Sequence, residues 1–301
     1  MRFNPRATID QSENESRAGG GGGGMGGGRL TLGGVLVLGV VFLINQFTGV
    51  DLSGLIGAGG SGSGSDQTVA TSCRTGADAN KSDECAIKLI TTSVQDYWHT
   101  AFPDQVSGSP AYEPIQTVTF RGSTASGCGQ ASSAMGPFYC PNDKKVYIDT
   151  TFMDDMLKGD LGAQGGPFAL AYVVGHEYGH HIEDQLGILG RMKTQQGPRS
   201  DSVKAELMAD CLGGMWARNA EQTKDANGVS IIEGVTADDI SRAIDAATAV
   251  GDDRIQKRSG GGVDTESWTH GSSAQRVHWF NVGLKEGSLD ACNTFAPGAL
   301  S

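Results

Sequence analysis

Residues 173–184 read VVGHEYGHHIED, and this stretch is the starting point for interpreting the chain. On an α-helix, residues four apart share a face, so His176 and His180 can bind one metal ion. Glu177 follows the first histidine and can act as general base toward a water on the open side of that metal. The preceding residues, PFALAYVVG, are mostly apolar and predict a buried helix over residues 168–189. Because buried imidazole and carboxylate groups need partners, the motif predicts a zinc site.

A catalytic zinc usually has three protein ligands and one open position. Glu206 lies in the stretch AELMADC, on a second predicted helix over residues 200–220. A turn between the two helices would bring Glu206 back against the first one, and we expect it to be the third ligand. Asp210 follows on the same helix face, four residues later. We expect it to accept a hydrogen bond from the outer ring nitrogen of a zinc ligand, His176.

The roles of the other histidines are interpreted from their positions in the sequence. His270 lies in a loop before the last predicted helix. It could donate a hydrogen bond to the oxyanion of a tetrahedral intermediate, or it could have only a structural role in the turn. Glu183 and His270 are alternative third ligands, although Glu183 lies only three residues after His180. His181 points about 100° away from His180 and is not expected to bind the metal. His99 and His278 are expected to be structural.

The order of predicted elements indicates an α+β domain, mostly helical with a small β-sheet. Apolar residues recur at three- and four-residue steps in several segments, and two segments alternate as strands do. The further predicted helices are 83–102, 151–158, 236–250 with turns to 257, and 273–284. The predicted strands are 115–121 and 145–149, joined by a loop over 122–143.

The N-terminal part has an unusual composition. Residues 30–47 form an uncharged, apolar stretch of 18 residues, close to the minimum of about 17–20 for a membrane span. Four arginines precede it, so we expect the chain to be a single-pass protein of the cytoplasmic membrane. The predicted organisation is a disordered Gly-rich cytoplasmic tail (1–29), a transmembrane signal anchor (30–50), a Gly/Ser linker (51–70) and a domain (71–301) on the periplasmic or extracellular side. A cleaved signal peptide is the alternative.

The chain has six cysteines, all beyond the apolar stretch. An even number suits an exported domain, although six cysteines allow 15 pairings. Proximity suggests Cys73–Cys85 and Cys128–Cys140, which leaves Cys211–Cys292. Zinc ligation by cysteine is the alternative, but the sequence has no C-x-x-C pair.

The formal net charge is -11. Residues 1–29 carry four arginines and three acids, about +1, so the rest carries about -12. Such a surface is a poor partner for nucleic acid, whose affinity comes largely from phosphate contacts by Lys and Arg.

Several long segments resemble the bacterial family of putative neutral zinc metallopeptidases. They are GCGQASSAMGPFYCPNDKKVYID (127–149), VVGHEYGHHIED (173–184), ELMADCLGGMWA (206–217), VGDDRIQKRSGG (250–261) and THGSSAQRVHWF (269–280). The resemblance also covers the N-terminal tail, the glycine tract and the apolar stretch. It implies a zincin-like peptidase domain that uses Zn²⁺, with His176, Glu177 and His180 carried over and Glu206 at the position of the third ligand.

The resulting hypothesis is a zinc-dependent metallopeptidase that hydrolyses peptide bonds through a zinc-bound water activated by Glu177. Its expected partners are a peptide or protein substrate and the lipid bilayer, the latter through residues 30–50. The alternatives are a zinc hydrolase of another amide or ester and a catalytically inactive cell-surface binding protein. The presence of Glu177 argues against the inactive protein, since loss of this residue would be its expected signature.

Overall fold

The computed structural model describes residues 1–17, 72–260 and 262–300. Within these residues the α-helices are α1 (Gly76–Ala79), α2 (Asp83–Gln105), α3 (Pro167–Gln185), α4 (Asp201–Asn219), α5 (Ala237–Ala249), α6 (Asp252–Arg258) and α7 (Ser273–Glu286). A π-helical segment, Met153–Asp160, precedes α3. The strands are β1 (Arg2–Phe3), β2 (Asn14–Ser16), β3 (Gln116–Phe120), β4 (Ser123–Ser126), β5 (Gly129–Ser132), β6 (Phe138–Cys140), β7 (Lys145–Asp149) and β8 (Ile232–Glu233).

Local sequence explains where the main helices begin and end. The Ser200 hydroxyl accepts a hydrogen bond from the third residue of α4, which satisfies one of the free N–H groups at that helix start. Thr236 and Asp239 form a reciprocal capping box at α5, and Ser272 begins α7 in the same way with Gln275. Gly287 ends α7 with φ of 65°, a left-handed conformation that glycine adopts without steric cost.

Among the described residues, the main sheet has four strands in the order β2-β3-β7-β6. The pairs β2–β3 and β3–β7 are parallel, whereas β6 runs antiparallel to β7 and forms one edge. Strands β4 and β5 form a separate hairpin, and β1 pairs with β8. The edge strand β6 contacts α3, the helix that carries the histidine motif.

Most predicted elements are confirmed, with small shifts at their ends. The strand over residues 145–149 has the predicted limits, while the predicted helix 168–189 ends at residue 185. The predicted loop over 122–143 is wrong, because this Gly- and Ser-rich stretch contains the β4–β5 hairpin and the edge strand β6. The predicted short helix at 151–158 is present as the π-helical segment.

Helix α4 packs against both α3 and α7 through small residues. A Cβ atom on Gly175 would lie 3.4 Å from the Cα of Gly213, so the two backbones are in close contact there. A Cβ atom on Gly179 would come 2.7 Å from the Cα of Ala209, closer than real Cβ atoms approach. The α3–α4 distance is therefore set by the absence of side chains at these positions.

The prediction that residues 1–29 form a disordered tail is wrong for residues 1–17. Strand β2 extends the main sheet by parallel pairing with β3, and β1 pairs with β8. The α-amino group of Met1 forms an ion pair with Asp239, the acidic member of the capping box of α5. The N-terminal segment is therefore part of the same domain as residues 72–300, while residues 18–29 lie outside the described residues.

The single-pass arrangement must also be corrected. The predicted anchor (30–50) and linker (51–70) lie outside the described residues, and no described helix is long and apolar enough to cross a membrane. A tail in the cytoplasm and a domain beyond the membrane would separate β2 from β3, which are hydrogen-bonded neighbours. The fold class is therefore α+β, and the predicted membrane helix is not among the described elements. The predicted localisation, which placed the tail and the domain on opposite sides of the membrane, is wrong.

The predicted disulfides are confirmed. Cys73–Cys85 ties the start of the second described segment to α2, and Cys128–Cys140 joins β6 to the end of the β4–β5 turn. Cys211–Cys292 links α4 to the C-terminal segment across 81 residues of sequence. None of the described cysteines is free.

Candidate metal centre

The two histidines of the motif lie one turn apart on α3, and Glu206 of α4 faces them. Nε2 of His176 lies 3.2 Å from Oε2 of Glu206, and Nε2 of His180 lies 3.6 Å from Oε1 of the same carboxylate. One ligand atom from each of the three residues lies within 4.8 Å of the others. All three residues are buried. In the part of the chain that the structure describes, this is the one group of three or more such side chains close enough to hold a metal ion.

The three side chains fit Zn²⁺. Zinc binds imidazole nitrogen and carboxylate oxygen at about 2.0–2.2 Å in tetrahedral geometry, which places neighbouring ligand atoms roughly 3.3 Å apart. The measured 3.2 and 3.6 Å distances between nitrogen and oxygen atoms agree with this spacing. Two imidazoles and one carboxylate are also the donor set of known catalytic zinc sites with one open position.

Carboxylates on the outer side of each ring orient the two histidines. Oδ1 of Asp210 lies 2.9 Å from Nδ1 of His176, at the position expected from the sequence. Oε2 of Glu183 lies 2.9 Å from Nδ1 of His180. With Nδ1–H bonded outward, each ring presents the lone pair of Nε2 to the centre. Glu183, an alternative ligand on sequence grounds, instead holds a histidine in place.

Asp210 is itself held by two residues that the sequence analysis did not identify. Arg276 on α7 donates to both its carboxylate oxygens, from Nε at 2.9 Å and from Nη2 at 3.0 Å. The Tyr172 hydroxyl donates to Oδ1 at 2.6 Å. Burial alone would raise the pKa of Asp210, but Arg276 and His176 lower it below its ordinary value. Tyr172 lies four residues before His176 and could have been found from that spacing, whereas nothing local marks Arg276.

Several carboxylates contact the two histidines of the motif and favour a positive charge there. Burial by itself would lower the pKa of His176, but its contacts with Asp210 and Glu206 raise that pKa to about 10. Burial would raise the pKa of Glu206, but His270, His176 and His180 hold it well below its usual range. Glu206 is therefore ionised in the buried cluster, as a metal ligand must be.

Glu177 lies on the wall of a cavity of about 130 Å³ beside the three potential ligands. Its side chain is buried, and burial raises the pKa of its carboxyl group while His176 and His180 oppose the rise. The apolar part of the cavity wall consists of side chains from β6, α3 and nearby loops, among them Phe138, Tyr139, Phe152, Leu161, Val173 and Val250. A carboxylate in such surroundings is suited to accept and return a proton.

His270 lies on the wall of the same cavity, held by Asp252. Oδ2 of Asp252 accepts hydrogen bonds from three successive backbone N–H groups, those of Thr269, His270 and Gly271, at 2.7–2.9 Å. Oδ1 lies 3.2 Å from Nδ1 of His270, which leaves Nε2 for the cavity. His270 is therefore held in the turn and also lines the cavity. It is not one of the three residues in the ligand cluster.

The remaining histidines lie away from the cluster. His181 is fully buried, and its Nε2 lies 2.7 Å from the carbonyl oxygen of Glu113. Burial lowers the pKa of His181 to about 4, so the ring is neutral. His99 and His278 are exposed and make edge-to-face contacts with aromatic neighbours.

Comparison with known proteins gives relatives that share most of the chain. An uncharacterized protein of Mycobacterium tuberculosis is 45% identical over 230 residues, which cover 76% of each chain. The uncharacterized protein YpfJ of Escherichia coli K12 is 39% identical over 305 residues, which cover 98% of this chain and 99% of the relative. No solved structure gives a significant match.

A family model described as "Putative neutral zinc metallopeptidase" matches residues 1–295. The match includes the N-terminal segment that pairs with the sheet and all the potential ligands in the buried cluster. The chain therefore belongs to the putative neutral zinc metallopeptidase family.

Proposed function

We propose that the protein is a zinc-dependent peptidase, with zinc held by His176, His180 and Glu206. The observation that carries the proposal is the convergence of two Nε2 atoms and one carboxylate beside a cavity that Glu177 lines. Bound there, zinc would supply a Lewis acid and lower the pKa of a coordinated water.

The surrounding side chains have separate roles in this proposal. Glu177 accepts a proton from the attacking water and returns it to the leaving amine. Nε2 of His270 donates a hydrogen bond to the oxygen on which negative charge develops, while Asp252 fixes the ring through Nδ1. Asp210 and Glu183 keep the ligand histidines in the tautomer that presents Nε2.

The sheet edge favours a polypeptide substrate over a small amide or ester. Phe138 and Tyr139 of the edge strand β6 line the cavity, so an extended chain could lie along β6 and pass the cluster. Strand addition to a sheet edge binds peptides through main-chain hydrogen bonds and leaves side-chain pockets for selectivity. The apolar cavity next to β6 can hold a side chain of such a peptide.

The experiment is hydrolysis of a mixed peptide library by zinc-loaded protein, followed by mass spectrometry, with small ester and amide substrates in parallel. We expect peptide cleavage that a chelator abolishes and added zinc restores. Hydrolysis of only the small substrates would assign the site to another amide or ester. Absence of any hydrolysis by fully zinc-loaded protein would favour a binding protein and reject the proposal.

A further inference from the structure

Arg276 on α7 belongs to the wall of the cavity beside the potential zinc ligands. Its side chain is buried, and Glu206 and His270 line the same cavity. The helix that carries Arg276 packs closely on α4, because a Cβ atom on Gly283 would collide with the backbone oxygen of Cys211. The position of the guanidinium is therefore set by the packing of α7 on α4.

The guanidinium uses only part of its hydrogen-bonding capacity to hold Asp210. Nε donates to Oδ2 of Asp210, and Nη2 donates to Oδ1 and to the Tyr172 hydroxyl. Nη1 makes no hydrogen bond with the described residues, and Oε2 of Glu206 lies 3.7 Å from it. Arginine has five N–H donors, so the two N–H groups of Nη1 are left without an acceptor.

The Nη1 atom is also not enclosed by protein. Among the described side chains, the fully enclosed nitrogen and oxygen atoms that lack a partner do not include it. Because Arg276 lines the cavity, the open space next to Nη1 is the cavity itself. A ligand in the cavity can therefore accept a hydrogen bond from Nη1.

His270 lies close enough to Arg276 and Glu206 to respond to their charges. Burial would lower the pKa of His270, but Glu206 and Asp252 raise it, and Arg276 opposes this rise. Arg276 and His270 thus present N–H donors to the part of the cavity that contains Glu206, one of the three potential zinc ligands.

We propose that Arg276 is a further catalytic residue, whose Nη1 donates a hydrogen bond to the carbonyl oxygen of the peptide bond that is cleaved. The inference rests on the proposed peptidase function and gives this oxygen a second donor besides His270. When water adds to the carbonyl carbon, an electron pair of the C=O bond moves to the oxygen. The fixed positive charge of Arg276 stabilises this oxygen more strongly than the neutral carbonyl of the bound substrate.

A purely structural role for Arg276 predicts a different behaviour. In that case Arg276 acts on His176 only through Asp210, and its removal has no further effect once Asp210 has been changed. The test therefore compares Asp210→Asn with the double variant Asp210→Asn/Arg276→Gln, at a zinc concentration that saturates both. The double variant replaces an unpaired buried guanidinium with a neutral amide, so its melting temperature should be higher than that of Asp210→Asn.

The main readout is affinity for a phosphinic peptide, whose tetrahedral and negatively charged centre imitates the reacting carbonyl. The double variant should bind it about 10–100-fold more weakly than Asp210→Asn, the range for a hydrogen bond to a charged group. Its kcat/KM for peptide cleavage should fall by about 10²–10³-fold. Arg2→Gln is the control for the loss of one positive charge, because Arg2 is exposed and pairs with Glu233, and it should match wild type.

Equal affinity of Asp210→Asn and the double variant for the phosphinic peptide would overturn the inference and leave the proposed function intact. If the double variant does not fold, Arg276→Lys decides, because a lysine ammonium can pair with Asp210 but has no group equivalent to Nη1. Retained zinc with about 10–100-fold weaker phosphinic-peptide binding would then support the inference, and unchanged binding would overturn it. Zinc-loaded wild type that neither cleaves peptides nor binds the phosphinic peptide would reject the function on which the inference rests.

Discussion

Oδ1 of Asp210 lies 2.9 Å from Nδ1 of His176, while Oε2 of Glu206 lies 3.2 Å from Nε2 of the same ring. The imidazole is therefore held between two carboxylates from one helix, α4. One carboxylate belongs to the potential metal ligands, and the other fixes the ring and connects it to Arg276 on α7.

Asp210→Asn should weaken zinc binding by about 10–100-fold, the usual effect of changing a group that orients a metal ligand. Thermal stability should also fall, because Arg276 is buried and would lose its main carboxylate partner. Competition with a chelating dye gives the affinity, and unfolding in zinc and in chelator gives the stability. Asp238→Asn, on an exposed side chain of α5, is the control. Unchanged zinc affinity in Asp210→Asn would contradict this role.

Gly179→Ala should weaken zinc binding and destabilise the protein, because the new methyl group would lie 2.8 Å from the backbone oxygen of Ala209. To relieve this contact, α3 and α4 must move apart, and the distance between His180 and Glu206 increases. Overpacking of this kind typically costs about 1–3 kcal/mol of unfolding free energy. Gly190→Ala is the matched control, since a methyl group there meets nothing within 4 Å. Equal zinc affinity in the two variants would show that the close helix contact does not set the site.

Cutting the chain between residues 18 and 71 should leave the two fragments associated. Residues 1–17 are held by the β2–β3 pairing and by the ion pair between the Met1 amine and Asp239. No disulfide joins the fragments, because Cys73 and Cys85 are both in the larger one. After cleavage at an engineered protease site in residues 51–70, both fragments should elute together in native gel filtration and separate in denaturant. Elution of a free N-terminal fragment under native conditions would contradict the observed fold.

Glu13→Gln should stabilise the protein at neutral and mildly alkaline pH. Burial, together with Asp10 and Asp96, raises the pKa of the Glu13 carboxyl to about 9 from an ordinary value of 4.5. Between these pH values the folded state keeps a proton on Glu13 that the unfolded state releases. The contribution of Glu13 therefore lowers the free energy of unfolding as pH rises from about 4.5 to 9. Glutamine stays neutral, so the variant's advantage should grow across that interval.

Urea unfolding of wild type and Glu13→Gln at pH 5, 7 and 9 measures this advantage. Glu113→Gln is the control, because Lys144 lowers the pKa of Glu113, and its removal should give no such gain. An advantage of Glu13→Gln that is constant with pH would show that Glu13 does not titrate differently in the folded and unfolded states.

The features of the site that follow from local spacing could be predicted from the sequence. The i, i+4 spacing of His176 and His180 predicted that both histidines bind one metal ion. Glu206 and Asp210 on the next helix were predicted to contact this site, and both carboxylates lie beside His176 in the structure. Arg276 could not be found in this way, because its contact with Asp210 depends on how α7 packs against α4. Asp252 could not be found for the same reason, because its contact with His270 depends on how α6 packs against the loop that carries His270.

The N-terminal segment shows a different limit. Residues 1–17 are polar and precede a glycine tract, and this composition alone predicts disorder. Their order comes from pairing with β3, about 100 residues later in the chain, and from the carboxylate of Asp239. Tertiary contacts of this kind leave no local pattern in the sequence. Because they could not be recognised, the tail was assigned to the opposite side of the membrane from the domain.

The most direct test of the proposed zinc peptidase measures zinc content and peptide hydrolysis together in Glu177→Gln and Glu206→Gln. Glu177→Gln should retain one zinc per chain and lose at least about 10²–10⁴-fold in rate, because glutamine cannot accept the proton. Glu206→Gln should lose zinc and activity together, because a ligand in the buried cluster is weakened. Zinc retained in Glu206→Gln but lost in Glu177→Gln, or full peptidase activity in Glu177→Gln, would contradict the account.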